Sequence, residues 1–264
     1  MNAMTTDMMM QRVKALKLHG LLAHWDETRH QDWVAQLLQW EEDERSQRSL
    51  DGRLKSARIG RFKPLADFDW DWPKKCDRVA IEEFMQLTFL KEAVNVILCG
   101  PNGAGKSTIA KNIAYQAIIH GHTALFTTAG DMLKDLASHD GDIALQRKLK
   151  YYTKPTILVI DEVGYLSYSN RLADLLFEII SRRYHEKSTV ITTNKAFTEW
   201  RDIFPNAACV VSLIDRLVHR SEIINIEADS YRLKEAKEES AKRKAAREAK
   251  KSKLISKSDE EAKC

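Results

Sequence analysis

No stretch of the 264-residue chain reaches the ~18 consecutive uncharged apolar residues that a membrane-spanning helix needs, and its first residues hold no apolar core like that of a secretory signal. A cytoplasmic protein with no membrane partner is the expectation. Cysteine is scarce: Cys76, Cys99, Cys209 and Cys264 lie far apart with no C-x-x-C spacing, which argues against a disulfide framework or a zinc ribbon. Nothing resembles a helix–turn–helix or a zinc finger, so any nucleic acid would be met through backbone and shape rather than base edges. With 44% hydrophobic and 30% charged residues, the chain is globular with a heavily charged surface.

The net charge of +4 is unevenly spread. Residues 45–63 carry seven basic side chains, Arg45, Arg48, Arg53, Lys55, Arg58, Arg61 and Lys63, against Asp51 alone, for +6. Residues 231–264 contribute +5, which leaves −7 for the remainder. An acidic body with two basic segments points to a polyanionic partner met by the appendages.

From Gln11 to Arg45, Val13, Leu16, Leu18, Leu21, Leu22, Trp25, Trp33, Leu37, Leu38 and Trp40 recur near a period of 3.6, which predicts two or three amphipathic helices. The basic stretch continues in helical style until Gly60 and Pro64. Between Leu65 and Pro73 aromatics alternate with aspartates, predicting an extended linker pinned by Phe68, Trp70 and Trp72. From Val94 onward, β-branched runs (Val94–Cys99, Thr123–Thr128, Thr156–Ile160, Ser188–Thr193, Ile223–Ile226) alternate with helical segments, the pattern of a parallel sheet covered on both faces. The expected organisation is a helical, basic domain over 1–63, a linker over 64–75, an α/β domain over 76–231, and a charged, frayed or disordered tail over 232–264 with almost nothing to bury.

Gly100-Pro101-Asn102-Gly103-Ala104-Gly105-Lys106-Ser107 fits G-x-x-x-x-G-K-[ST] between a predicted strand and a helix over Thr108–Ile119. Such a loop turns backbone N–H groups onto phosphate oxygens and ends at a positive helix N-terminus, which begins at Thr108. Lys106 is placed to reach the β- and γ-phosphates, and the Ser107 hydroxyl to ligate Mg²⁺. Asp161 and Glu162 end a buried strand: Asp161 suits the magnesium shell, Glu162 the orientation and deprotonation of an attacking water. Asn194 ends the next strand, where its amide could sense the γ-phosphate, hold the water or cap a turn. Arg216 and Arg220 share a helix face and could reach into a neighbouring subunit's site as an arginine finger, Arg216 foremost, or pair with Asp215 and Glu222.

Asp161-Glu162 with Val-Gly-Tyr-Leu behind it, Arg183-Tyr-His-Glu-Lys-Ser, Thr193-Asn-Lys-Ala-Phe-Thr-Glu-Trp200, Asp215-Arg-Leu-Val-His and Asp229-Ser-Tyr-Arg-Leu-Lys234 together resemble the IstB family, the ATP-binding helpers of insertion-sequence transposition, related to the DnaC and DnaI helicase loaders within the AAA+ superfamily. The resemblance runs from about Arg12 to Lys234. It implies an AAA+ P-loop ATPase core behind a small all-α domain, binding ATP and Mg²⁺. It further implies a homo-oligomer that forms with ATP on duplex DNA and partners a transposase, IstA. Lys106 and Ser107 then take the Walker A roles, Asp161 and Glu162 the Walker B roles, Asn194 that of sensor 1 and Arg216 that of the finger. The loop departs from the family's commoner Thr-Gly-Lys-Thr-His-Leu but keeps the hydroxyl. Beyond Ile226 there is too little apolar sequence for a helical lid, so no second sensor arginine can be named. A helicase loader is the alternative reading; a small-molecule kinase and a nucleotide-dependent scaffold are the others.

Overall fold

The structure is a computed structural model describing residues 6–139, 141–165, 168–204 and 207–244, so the tail beyond 244 lies outside the described residues. Its contacts divide the chain after Ser56, seven residues before the expected boundary. The first unit contains α1 (Thr6–Ala15), α2 (His19–Ala23), α3 (Trp25–Thr28) and most of α4 (Asp32–Ala57). Val13, Leu16, Trp25, Val34 and Leu38 form its core, and Arg12 ties α1 to α4 through two bonds to Glu42 at 2.7 and 2.6 Å. Val34 and Leu38, four apart, set the buried stripe of α4. Trp33 and Trp40, seven apart and one position off that stripe, are 50% and 62% exposed, contrary to the amphipathic reading that placed them with the apolar face. The following turns of α4 bury almost nothing and are supported instead by i,i+4 pairs, Arg45 with Glu41 and Arg48 with Glu44. The helix stops where Arg58 and Gly60 turn to φ of +55° and +66°.

The second unit opens on the linker, which a buried asparagine fastens down: Asn112 accepts from the Leu65 amide and donates to the Lys63 carbonyl, both at 2.9 Å. After α5 (Arg78–Phe84) come β1 (Asn95–Cys99), α6 (Lys106–Ile119), β2 (Ala124–Thr128), α7 (Ala129–Ala137), α8 (Asp142–Thr153), β3 (Ile157–Val163), α9 (Asn170–Arg183), β4 (Ser188–Thr193), α10 (Trp200–Ile203), α11 (Ala207–Val218) and β5 (Ser221–Asn225). The five strands lie in the order β2-β3-β4-β1-β5 with every pair parallel, and helices cover both sides. Val96, Ile97, Leu98, Ile157, Leu158, Val159, Val190 and Ile191 are buried because both faces are covered. The expected strands fall within one to three residues of the observed ones. This order sets β4 between β3 and β1, so the carboxyl ends of three strands meet at one place.

Arg183, from the quoted Arg-Tyr-His-Glu-Lys-Ser run, closes the opposite edge. It is 1% exposed and donates to the carbonyls of Thr153, Pro155, Thr156 and Ser188 and to the Thr189 hydroxyl, at 2.6–3.2 Å. Burial pushes its pKa down to about 9, which still leaves it charged at neutral pH.

Residues 231–244, all but the first within the segment expected as a frayed helix or a disordered tail over 232–264, form a helix, α12. Its first turn is held by residues distant in sequence: Lys234 pairs with Asp69 at 2.8 Å, Lys63 pairs with Glu235 at 2.5 Å, and Lys234 lies 4.5 Å over the Trp72 ring. The linker therefore pins the tail as well as itself. Among the described residues no helix is long and apolar enough to cross a membrane.

Candidate nucleotide site

The loop after β1 leaves the sheet at Gly100, whose amide donates to the Thr193 carbonyl at the end of β4 (3.1 Å). Gly103 and Gly105 take φ of +80° and +92°, the left-handed region where a side chain is strained. Both positions are also crowded: a Cβ on Gly105 would lie 2.6 Å from the Phe68 ring, and one on Gly103 would strike the Ser230 side chain. The loop can then feed α6 with its first N–H groups unpaired, a ready anion cradle.

Lys106 is buried and donates its Nζ to the carbonyls of Gly100 (2.7 Å) and Pro101 (2.8 Å). Burial lowers its pKa, while the charge of Asp161 acts in the opposite sense. Ser107 donates its Oγ to Oδ1 of Asp161 at 2.9 Å, and the Thr192 hydroxyl donates to the same oxygen. The sequence-predicted Ser107 and Asp161 are thus in direct contact across β1, β4 and β3. One hydroxyl and one carboxylate are the hard oxygen donors that Mg²⁺ takes beside phosphate and water.

Glu162 is exposed and held in an uncommon backbone conformation, φ +63°. The β3–β4 register slips here: Ile160 faces Ile191, Val163 faces Thr193, and Asp161 and Glu162 together oppose Thr192. This bulge, fixed by the Glu162 amide donating to Thr192 Oγ1 at 2.9 Å, sends one carboxylate to the sheet interior and the other to the cavity over the phosphate loop. Asn194 follows β4, and its buried Oδ1 has no hydrogen-bond partner among the described residues, an orphaned acceptor beside the three converging strands. Tight glycines, a buried lysine, a hydroxyl–carboxylate pair and an unpaired amide oxygen together fit a nucleoside polyphosphate with magnesium.

The cavity also draws in residues that the motif search missed. Phe68, Asp69 and Trp72 from the linker and Tyr231, Arg232 and Glu235 from α12 line it, as does Lys63. Tyr165 donates its hydroxyl to Asn102 Oδ1, and burial with the nearby carboxylates raises its pKa, so it remains a donor. The quoted Asp229–Lys234 run was the available signal for Tyr231 and Arg232. The sequence named no second arginine for the site; Arg232 lies in the cavity, carried there by α12.

Arg216 and Arg220 line no part of this cavity. Arg216 donates to the Ser181 hydroxyl and its guanidinium lies 4.6 Å over Phe177, both on α9, while Arg220 donates to the Glu92 carbonyl at 3.3 Å. The seven basic residues at 45–63 have different local partners. The division after Ser56 runs through them; Arg45 and Arg48 are paired along α4, Arg53 bonds Ser49, Arg58 lies 5.7 Å over Tyr151, and Lys63 belongs to the nucleotide cavity. Lys55 and Arg61 are exposed.

Comparison with known proteins agrees with this geometry. The family described as IstB-like ATP binding protein matches residues 6–240. A protein of Geobacillus stearothermophilus, named as an ATP-binding protein of insertion sequence IS5376, is 34% identical over 215 residues, covering 81% of this chain and 86% of the relative. One of Pseudomonas aeruginosa, named as the corresponding protein of insertion sequence IS21, is 35% identical over 209 residues, 79% of each chain. Among solved structures, one described as DnaI is 18% identical with a TM-score of 0.53, covering 65% of this chain and 91% of that one, a likeness of fold. The parallel core with helices on both faces has the AAA+ P-loop architecture, and among the described residues a single helix, not a lid domain, follows β5. The chain belongs to the family of IstB-like ATP-binding proteins.

Proposed function

We propose that this protein is a Mg²⁺-dependent ATPase that uses ATP to assemble on duplex DNA and to recruit or activate the transposase of its insertion sequence, a partner of IstA type. The observation that carries the hydrolytic part is the pairing of Asp161 with Glu162 across a bulge: one carboxylate is fixed to Ser107, and the other is free at the cavity. A site for binding alone has no need of the second. Lys106 would exchange its two loop carbonyls for phosphate oxygens. Ser107 and Asp161 would hold Mg²⁺, which supplies charge neutralisation at the phosphates. Glu162 accepts a proton from the attacking water, and Asn194, with its unpaired Oδ1, orients that water or the terminal phosphate. Arg216 of an adjoining subunit completes the site in trans, leaving Ser181 and Phe177 when copies meet.

The DNA part is supported by the two basic segments and by relatives named for insertion sequences. Steady-state ATP hydrolysis by the full chain, measured with Mg²⁺ alone and with added duplex or single-stranded DNA, tests the whole reading, and electron microscopy of the same mixtures reports assembly. Turnover that rises with duplex, together with ATP-dependent oligomers on it, is expected. Stimulation by single strands alone would favour a helicase loader, and absent turnover would leave a nucleotide-dependent scaffold.

A further inference from the structure

The segment that carries Glu162 turns twice through the left-handed region, at Glu162 (φ +63°) and at Gly164 (φ +91°). Each turn is fixed by a hydroxyl. Thr192 Oγ1 accepts the Glu162 amide at 2.9 Å, and the Tyr168 hydroxyl accepts the Gly164 amide at 3.2 Å. Gly164 is also hemmed in, since a Cβ there would lie 3.3 Å from Ile203 Cδ1 and 3.5 Å from Lys195 Cγ. So constrained, the chain presents Tyr165, whose hydroxyl crosses to the phosphate loop and donates to Asn102 Oδ1.

The end of β3 and the phosphate loop are thus joined in two places. Ser107 bonds Asp161 on the part-buried side, and Tyr165 bonds Asn102 on the exposed side, where both line the nucleotide cavity with Glu162. The next loop residue, Gly103, is held in turn by the Tyr231 amide on its carbonyl at 3.1 Å. Burial, then the charges of Glu162 and Asp161, raise the Tyr165 pKa, so the hydroxyl keeps its proton and stays a donor. The loop sets where the phosphates lie, and the β3 end sets where the proton acceptor lies. Turnover is sensitive to their separation on a scale of about 1 Å. A tyrosine three residues from Glu162 that reaches across to the loop fixes that separation.

We infer that Tyr165 is a positioning residue for ATP hydrolysis: its hydroxyl, through Asn102, holds the phosphate loop and Glu162 at their working distance. This rests on the reading of the cavity as a site where Glu162 serves hydrolysis. The hydroxyl acts through Asn102 and makes no demand for a contact with the nucleotide, which separates its role from those of Lys106 and Ser107.

The test compares the full chain as wild type, Tyr165→Phe, Asn102→Ala, the double variant and Glu162→Gln. Three quantities are read: kcat at saturating ATP with Mg²⁺, the ATP Kd, and amide hydrogen exchange of residues 102–105 and 162–165 without nucleotide. Tyr165 and Asn102 are both exposed, so the thermal midpoint should not move. Tyr165→Phe should lower kcat roughly tenfold with Kd within about twofold of wild type, and speed exchange in both segments. Asn102→Ala should lower kcat similarly, and the double variant should fall no further than the lower single one, because both act through one bond. Wild-type kcat in Tyr165→Phe, unchanged exchange, or losses that multiply in the double variant would each overturn the inference. So would a Kd that weakens as much as kcat falls, which would make Tyr165 a nucleotide contact, or a thermal midpoint that drops with turnover, which would make it structural. If Glu162→Gln loses hydrolysis while Tyr165→Phe keeps it, the inference alone fails; if Glu162→Gln turns over like wild type, the reading of the site fails and the inference with it.

Discussion

Thr192 donates its hydroxyl to Asp161 and accepts the backbone amide of Glu162 at 2.9 Å, so one threonine on β4 holds both acidic residues that end β3. The hydroxyl is fully buried and is the one side chain opposite the bulge. It sets which carboxylate faces Ser107 and which faces the cavity.

Thr192→Val keeps the shape and β-branching but removes that hydroxyl. Turnover should fall by roughly ten- to a hundredfold through misplacement of Glu162, with ATP affinity changed far less, while Thr192→Ser retains most of the activity. Parallel measurements of kcat and nucleotide Kd check this; a valine variant that turns over like wild type would show that the threonine is only packing.

Arg183→Met should be among the most destabilising changes in the second unit. It removes the guanidinium from four carbonyls, of which Thr153 alone keeps a side-chain donor among the described residues, Lys187 at 2.9 Å, at a cost of about 3 kcal/mol or more. Denaturant unfolding measures it, and a loss below about 1 kcal/mol would mean that water replaces the arginine without penalty.

For the finger, Arg216→Ala should bind ATP as wild type does and lose hydrolysis, since trans arginines contribute roughly 10³–10⁵ in turnover where known in GTPases. Mixing it with Lys106→Ala should restore some activity, because an interface can then pair an intact pocket with an intact finger. Wild-type hydrolysis by Arg216→Ala would turn attention to Arg220, and failure to bind ATP would place Arg216's role within its own chain.

Reversing Arg53, Lys55 and Arg58 to Glu should weaken duplex binding evenly across sequences and flatten its salt dependence, which for about five neutralised phosphates has a log–log slope near −4 to −5. Titrations at two salt concentrations check it. Unchanged affinity would locate the DNA contact away from residues 45–63.

The strands, their parallel direction and the phosphate loop were legible because each rests on local pattern: β-branched runs, a strand–loop–helix junction, and carboxylates at a strand end. What escaped depends on partners far away in sequence. Thr192 reads as one more β-branched residue in a buried strand; only its alignment with a bulge 30 residues earlier gives it a task. Arg232 sits in a stretch of charged residues that buries little on its own, and its position follows from Asp69 and Trp72, more than 150 residues upstream. Trp33 and Trp40 misled for the opposite reason, since an apolar period does not say which of two adjacent stripes the core will use.

The measurement closest to the central claim is ATP turnover by Glu162→Gln beside its ATP affinity. The amide keeps the size of the side chain and cannot accept the water's proton. The account predicts near wild-type binding with hydrolysis reduced by about a hundredfold or more, and accumulation of the ATP-bound, DNA-engaged assembly. Normal turnover in that variant would contradict it.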